Sequence, residues 1–153
     1  MQVKTMSILR NKASRSVKTR NRRGVASVEF AMVLPALLVL TLGTLDLCSM
    51  MFLKETVVLA AYEGARAGVN RGNTDADAVE RVTEFLDERG VVHHGAGSVA
   101  ISGASFDSAD TLQHVTITVT VPAAGNLIIP SAMFAGLNVS ASVTMRKEFQ
   151  NLN

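Results

Sequence analysis

The chain has 153 residues, of which 48% are hydrophobic, with one cysteine, one tyrosine and no tryptophan. That length suits one small domain with an added segment. A single cysteine, Cys48, excludes an intrachain disulfide, and its place in an apolar run suggests a small buried hydrophobe. The net charge of +2 is the difference between a tail and a body: residues 1–24 carry +8 with no acid, and residues 25–153 carry −6.

Residues 1–24, MQVKTMSILRNKASRSVKTRNRRG, are polar and basic and have no apolar helical period. They are expected to form a cytoplasmic leader. A basic tail alone suggests nucleic acid, but this one lies directly before an apolar run, so membrane topology explains it better and no nucleic-acid partner is expected.

Residues 25–53 are apolar apart from Glu29 and Asp46, and Phe30 to Leu45 is a run of 16 uncharged residues. A helix rises about 1.5 Å per residue, so about 20 residues cross a hydrocarbon core of about 30 Å. Glu29 and Asp46 are 17 residues apart, or about 26 Å along a helix, so each can lie near one face of a bilayer. Pro35 should kink or loosen this helix, which membrane helices tolerate. The positive-inside rule keeps residues 1–24 in the cytoplasm and exports the C-terminal body. A removable signal peptide is the competing reading, but its apolar core is shorter, about 7–15 residues.

Helix is expected to extend over residues 54–70, which contain no proline. Small residues recur there at spacings of four: Ala60, Gly64 and Gly68, with Ala61 and Ala65 beside them. Such stripes allow close backbone approach, either to the protein's own sheet or to a neighbouring subunit's helix.

Residues 71–153 read as an exported α+β domain. NRGNT breaks the helix, and Thr74 with Asp77 three residues on is an acidic capping box. A short second helix follows, with Val79, Val82, Phe85 and Leu86 expected on one face and Gly90 as its stop. The period then changes to two. SVAIS alternates briefly. HVTITVTV places Val115, Ile117, Val119 and Val121 opposite Thr116, Thr118 and Thr120. NVSASVTM places Val139, Ala141, Val143 and Met145 opposite Ser140, Ser142 and Thr144. These are antiparallel strands with one solvated Ser/Thr face. The connection between the last two strands has an apolar centre at Leu127, Ile128, Ile129, Met133 and Phe134, expected to cover the sheet, with membrane or partner contact as alternatives. The expected fold class is therefore α+β: a long N-terminal membrane-spanning helix, a short second helix and a small antiparallel sheet.

No enzymatic constellation emerges. His93 and His94 sit in a loop without ligands at metal spacing, His114 opens a strand as a surface residue, and no phosphate loop or nucleophile elbow is present. Neither a cofactor nor a metal is expected. Asp46 reads as an interfacial acid rather than a proton path, given a single span.

The stretch RRGVASVEFAMVLPALLVLTLG combines a basic segment ending at Gly24, a glutamate five residues later and an apolar helix. This resembles the type IV prepilin N-terminus. With AAYEGARAG some thirty residues on, the proline after EFAMVL and a closing strand ending VTMRKE, it resembles more closely the TadE-like family, pseudopilins of the tight-adherence (Flp pilus) system. The resemblance is specific over residues 22–69 and is one of general architecture over residues 70–136. It implies a pilin-like fold, cleavage between Gly24 and Val25 by a prepilin peptidase, and an assembly role for Glu29, whose carboxylate meets the free amine of an incoming subunit. It further implies partners in a pilus assembly platform and other pilin-like subunits, a homo- or hetero-oligomer, and an inner-membrane location with a periplasmic or extracellular C-terminal domain. Gly64, Ala65 and Gly68 are the helix-packing residues in this reading. An unprocessed single-pass membrane protein whose exported domain binds a partner in a secretion complex is the alternative.

Overall fold

A computed structural model describes residues 23–128 and 136–147. Helix α1 spans Arg23–Val69, helix α2 spans Asp75–Glu88, and a short 3-10 turn at Gly95–Ser98 leads into strands β1 (Val99–Gly103), β2 (His114–Pro122) and β3 (Asn138–Arg146). The fold is α+β, with one long apolar N-terminal helix and a small antiparallel sheet. Compact packing divides the chain into two units, with the boundary after Leu37. In the first unit, residues 24–37 are helical and exposed, and Pro35 lies inside the helix.

In the second unit the rest of α1 packs on α2 and the sheet. Its buried face carries Leu53, Val57, Ala60, Ala61, Gly64, Ala65 and Gly68, which recur at the three-to-four spacing of one helix side. Helix α2 buries Ala78, Val82, Phe85 and Leu86. The expected face began at Val79, which is only half-buried. Ala78 takes the inner position because the α1–α2 contact is tight: a Cβ built on Gly64 would lie 3.1 Å from the Ala78 carbonyl oxygen.

Both ends of α2 are closed by local chemistry. The Thr74 hydroxyl accepts the Asp77 N–H at 3.3 Å, and the Asp77 carboxylate accepts the Thr74 N–H at 2.7 Å, the reciprocal capping box. The Thr74 N–H and the Thr74 hydroxyl, which also donates to the Asp77 carboxylate at 2.8 Å, favour the ionised form and hold the Asp77 pKa below its ordinary value. At the other end Gly90 has φ +64, Gly90 N–H donates to Asp87 and Val91 N–H donates to Leu86. That is the Schellman arrangement, which needs a residue free to adopt positive φ.

The strand order is β1-β2-β3, antiparallel throughout. Val115, Ile117, Val119 and Val121 are fully buried, and Val139 and Ala141 continue the same face. On the opposite face Thr116 pairs with Thr144 and Thr118 with Ser142, hydroxyl to hydroxyl at 2.7 and 2.8 Å. Directly opposed residues of antiparallel strands bring these short side chains into reach, so the alternation becomes a polar ladder. Between β1 and β2, Phe106 turns back into the core and is fully buried.

Candidate processing and packing sites

Gly24, Val25 and Glu29 occupy the first turns of α1, and all three are exposed. A side chain built on Gly24 would meet nothing within 4 Å. Val25 and Glu29 are four residues apart, so they lie on one helix face a turn apart. An amine at residue 25 would thus stand near its own Glu29. Residues 1–22 of the expected 1–24 leader lie outside the described residues, as do residues 129–135 and 148–153.

The small residues of α1 serve the protein's own core. Gly64, Ala65 and Gly68 are buried. Gly64 faces Val82 and Ala78 of α2 and Ile117 of β2. Gly68 faces the Phe106 ring, where a Cβ would fall 2.7–2.8 Å from three ring carbons. Of the two alternatives for this stripe, the contacts seen are within the chain.

Cys48 corrects the sequence reading: it is exposed on α1 and not buried. The domain covers the side of the helix that carries Asp46, Leu53 and Val57, and Cys48 points elsewhere. His114 is exposed, as expected. His93 is held structurally, its Nδ1 accepting the Gly95 N–H at 3.0 Å and its Nε2 facing the Asp87 carboxylate at 2.9 Å. No group of three or more His, Cys, Asp or Glu among the described residues is placed to hold a metal ion.

Two polar residues were not anticipated as packing elements. Asp46 is 5% exposed, and its Oδ1 accepts the backbone N–H of Ile128 at 3.0 Å. The start of the apolar connection is thereby tied to α1, and Ile128 remains 60% exposed. Ile129, Met133 and Phe134 of that connection lie outside the described residues.

Lys147, one residue beyond β3, is fully buried. Its ammonium donates to the carbonyls of Phe106 at 2.7 Å, Gly68 at 3.2 Å and Asn73 at 3.4 Å. Gly68 belongs to the last turn of α1, whose carbonyls have no helical partner and carry the negative end of the helix dipole. One cation therefore joins the end of α1, the α1–α2 loop and the β1–β2 loop. Burial lowers the Lys147 pKa, opposed by the nearby charges of Asp107 and Asp75. The signal for this residue was present in the strand period: position 147 has the parity of Val139, Ala141, Val143 and Met145, the inward set.

The most apolar window of α1 has a mean hydropathy of 2.2 with none of its residues buried, long and apolar enough to cross a membrane. One such helix followed by a small α+β body defines the class: a chain with an N-terminal membrane-anchor-type helix. The family model described as TadE-like protein matches residues 24–66, beginning at the glycine of the RRGVASVEF stretch and ending two residues past Gly64. No curated protein and no solved structure matches the chain.

Proposed function

We propose that this chain is a minor pilin or pseudopilin of a tight-adherence (Flp-type) pilus assembly system, made as an inner-membrane precursor and processed by a prepilin peptidase. The observation that carries the reading is the Gly24–Val25–Glu29 spacing at the head of an exposed apolar helix, within the TadE-like match at residues 24–66. Gly24 offers a backbone with no neighbouring side chain in the way. Cleavage after it releases an ammonium on Val25 and removes the +8 leader that holds the chain to the cytoplasmic side. Glu29 is then the counter-charge. A carboxylate at the centre of a membrane helix costs about 2.5–3.5 kcal/mol and less near an interface, where Glu29 lies in this reading, and pairing with the amine of an incoming subunit offsets part of that. The small α+β body, exported, contributes a pilin-like head to biogenesis and surface adherence.

N-terminal sequencing of the membrane form, in a host with the cognate peptidase, tests the proposal. The mature chain is expected to begin at Val25, and Gly24→Val to leave the precursor uncut because a branched side chain obstructs close approach of the protease. Recovery of Met1 alone would favour an unprocessed single-pass anchor whose exported domain binds a secretion partner.

A further inference from the structure

Asp46 sets the height of the neighbouring chain against a membrane. Counted from Phe30, about 20 residues cross the hydrocarbon, which then ends near Ser49, and the headgroup layer takes about the next four or five residues. Asp46 therefore lies at the edge of the hydrocarbon and Lys54 at phosphate level. A carboxylate at that depth is costly in contact with lipid, and here it is buried against the protein's own backbone, accepting the Ile128 N–H at 3.0 Å. Whatever is held to Asp46 is held at the same depth. Ile128 is 60% exposed and Leu137, immediately before β3, is 42% exposed.

An open groove of about 520 Å³ is lined by Leu47, the residue after Asp46, by Met50 and Met51, and by Asn138, the residue after Leu137, with Val139 and Ser140, and Lys54 is the one charged residue in its lining. Lys54 donates to the backbone carbonyl of Ser140 at the outer edge of β3. Apolar walls with a cation at phosphate level match the profile of a lipid leaflet, apolar below and anionic above.

We propose that this face of the exported body is a membrane-docking surface: Ile128, Leu137 and the Leu47–Met51 groove rest in the outer leaflet of the bilayer that α1 crosses, with Lys54 on the phosphate of an anionic phospholipid. The proposal rests on the membrane-crossing part of the proposed function and is independent of processing and assembly. Its consequence is that the body is held at the bilayer surface before any subunit contact forms.

Spin labelling of the full chain in bilayers of phosphatidylethanolamine and phosphatidylglycerol tests this. In a Cys48→Ser background, labels are placed singly through Ile128→Cys, Val39→Cys in the apolar run and Ser108→Cys in the exposed β1–β2 loop. Collision with oxygen, which partitions into lipid, is compared with collision with a water-soluble nickel chelate. The oxygen-to-nickel ratio at 128 is expected to be several-fold above that at 108 and below that at 39. Replacing phosphatidylglycerol by phosphatidylcholine should lower the ratio at 128, and Lys54→Gln should remove that lipid dependence. A ratio at 128 equal to that at 108, while 39 reports lipid, overturns the docking surface alone. Water exposure at 39 as well overturns the membrane-crossing reading and the docking surface with it. A high ratio at 128 that vanishes when each bilayer disc holds a single chain assigns the face to a second copy and overturns the lipid assignment.

Discussion

Lys147→Met removes the ammonium from the core while keeping an unbranched side chain of similar length. Three carbonyls lose a hydrogen bond from it, those of Phe106 at 2.7 Å, Gly68 at 3.2 Å and Asn73 at 3.4 Å. A hydrogen bond to a charged group contributes about 1.5–3 kcal/mol, and a buried acceptor left without a partner costs about 1–3 kcal/mol. Only the two shorter bonds have good length, and the substitution also relieves the cost of burying a cation. A net loss of about 3 kcal/mol follows. For a body of about 100 residues this lowers Tm by about 15 °C, read from the loss of ordered structure in the circular dichroism of the detergent-solubilised chain.

The pH dependence adds a second readout. The folded-state pKa of Lys147 is depressed below its ordinary 10.5, so between the two values the unfolded chain binds more protons than the folded one. The burial penalty is fully present below the folded pKa and fades as pH rises toward 10.5. The stability of the parent relative to Lys147→Met should therefore increase with pH in the window just under 10.5. A variant as stable as the parent at neutral pH would refute the reasoning, since the carbonyls would then not depend on the ammonium.

Gly68→Ala gains about 1 kcal/mol of helix propensity but drives a methyl into a fully buried Phe106 ring, and the net loss should be about 2 kcal/mol in the same melt. Combining it with Phe106→Leu should cost less than the two single losses added together; strict additivity would mean the methyl and ring do not meet. Leu112 is exposed at φ 71, where a side chain is strained, so Leu112→Gly should raise stability by about 1 kcal/mol; an unchanged or lower midpoint would count against strain there. Glu29→Gln should leave insertion and cleavage intact and reduce pilus-dependent adherence, because the amide lacks the charge that holds an ammonium. At an effective dielectric of 20 that pair is worth on the order of 4 kcal/mol at 4 Å before desolvation. Normal processing with normal adherence would leave Glu29 an interfacial residue.

Local pattern alone determined much of this protein. The apolar run and its helix-compatible continuation define α1, Thr74 with Asp77 starts α2, Gly90 stops it, and alternation over 115–121 and 139–145 sorts the inward residues of both long strands. These features depend on neighbours within a few residues, where backbone geometry links spacing to face. What each face meets was decided by tertiary structure. Asp46 accepts from a residue 82 positions away and Lys147 donates to one 79 positions away, pairings that no local period encodes. The same limit explains Cys48 and Gly68. Apolar context placed Cys48 inside, but a single helix cannot turn every side to one small body. Spacing marked Gly68 as a site of close approach without naming the Phe106 ring that fills it. Periodicity reports that a surface is covered, and only the assembled fold, by bringing distant backbone groups within hydrogen-bonding distance, determines by what.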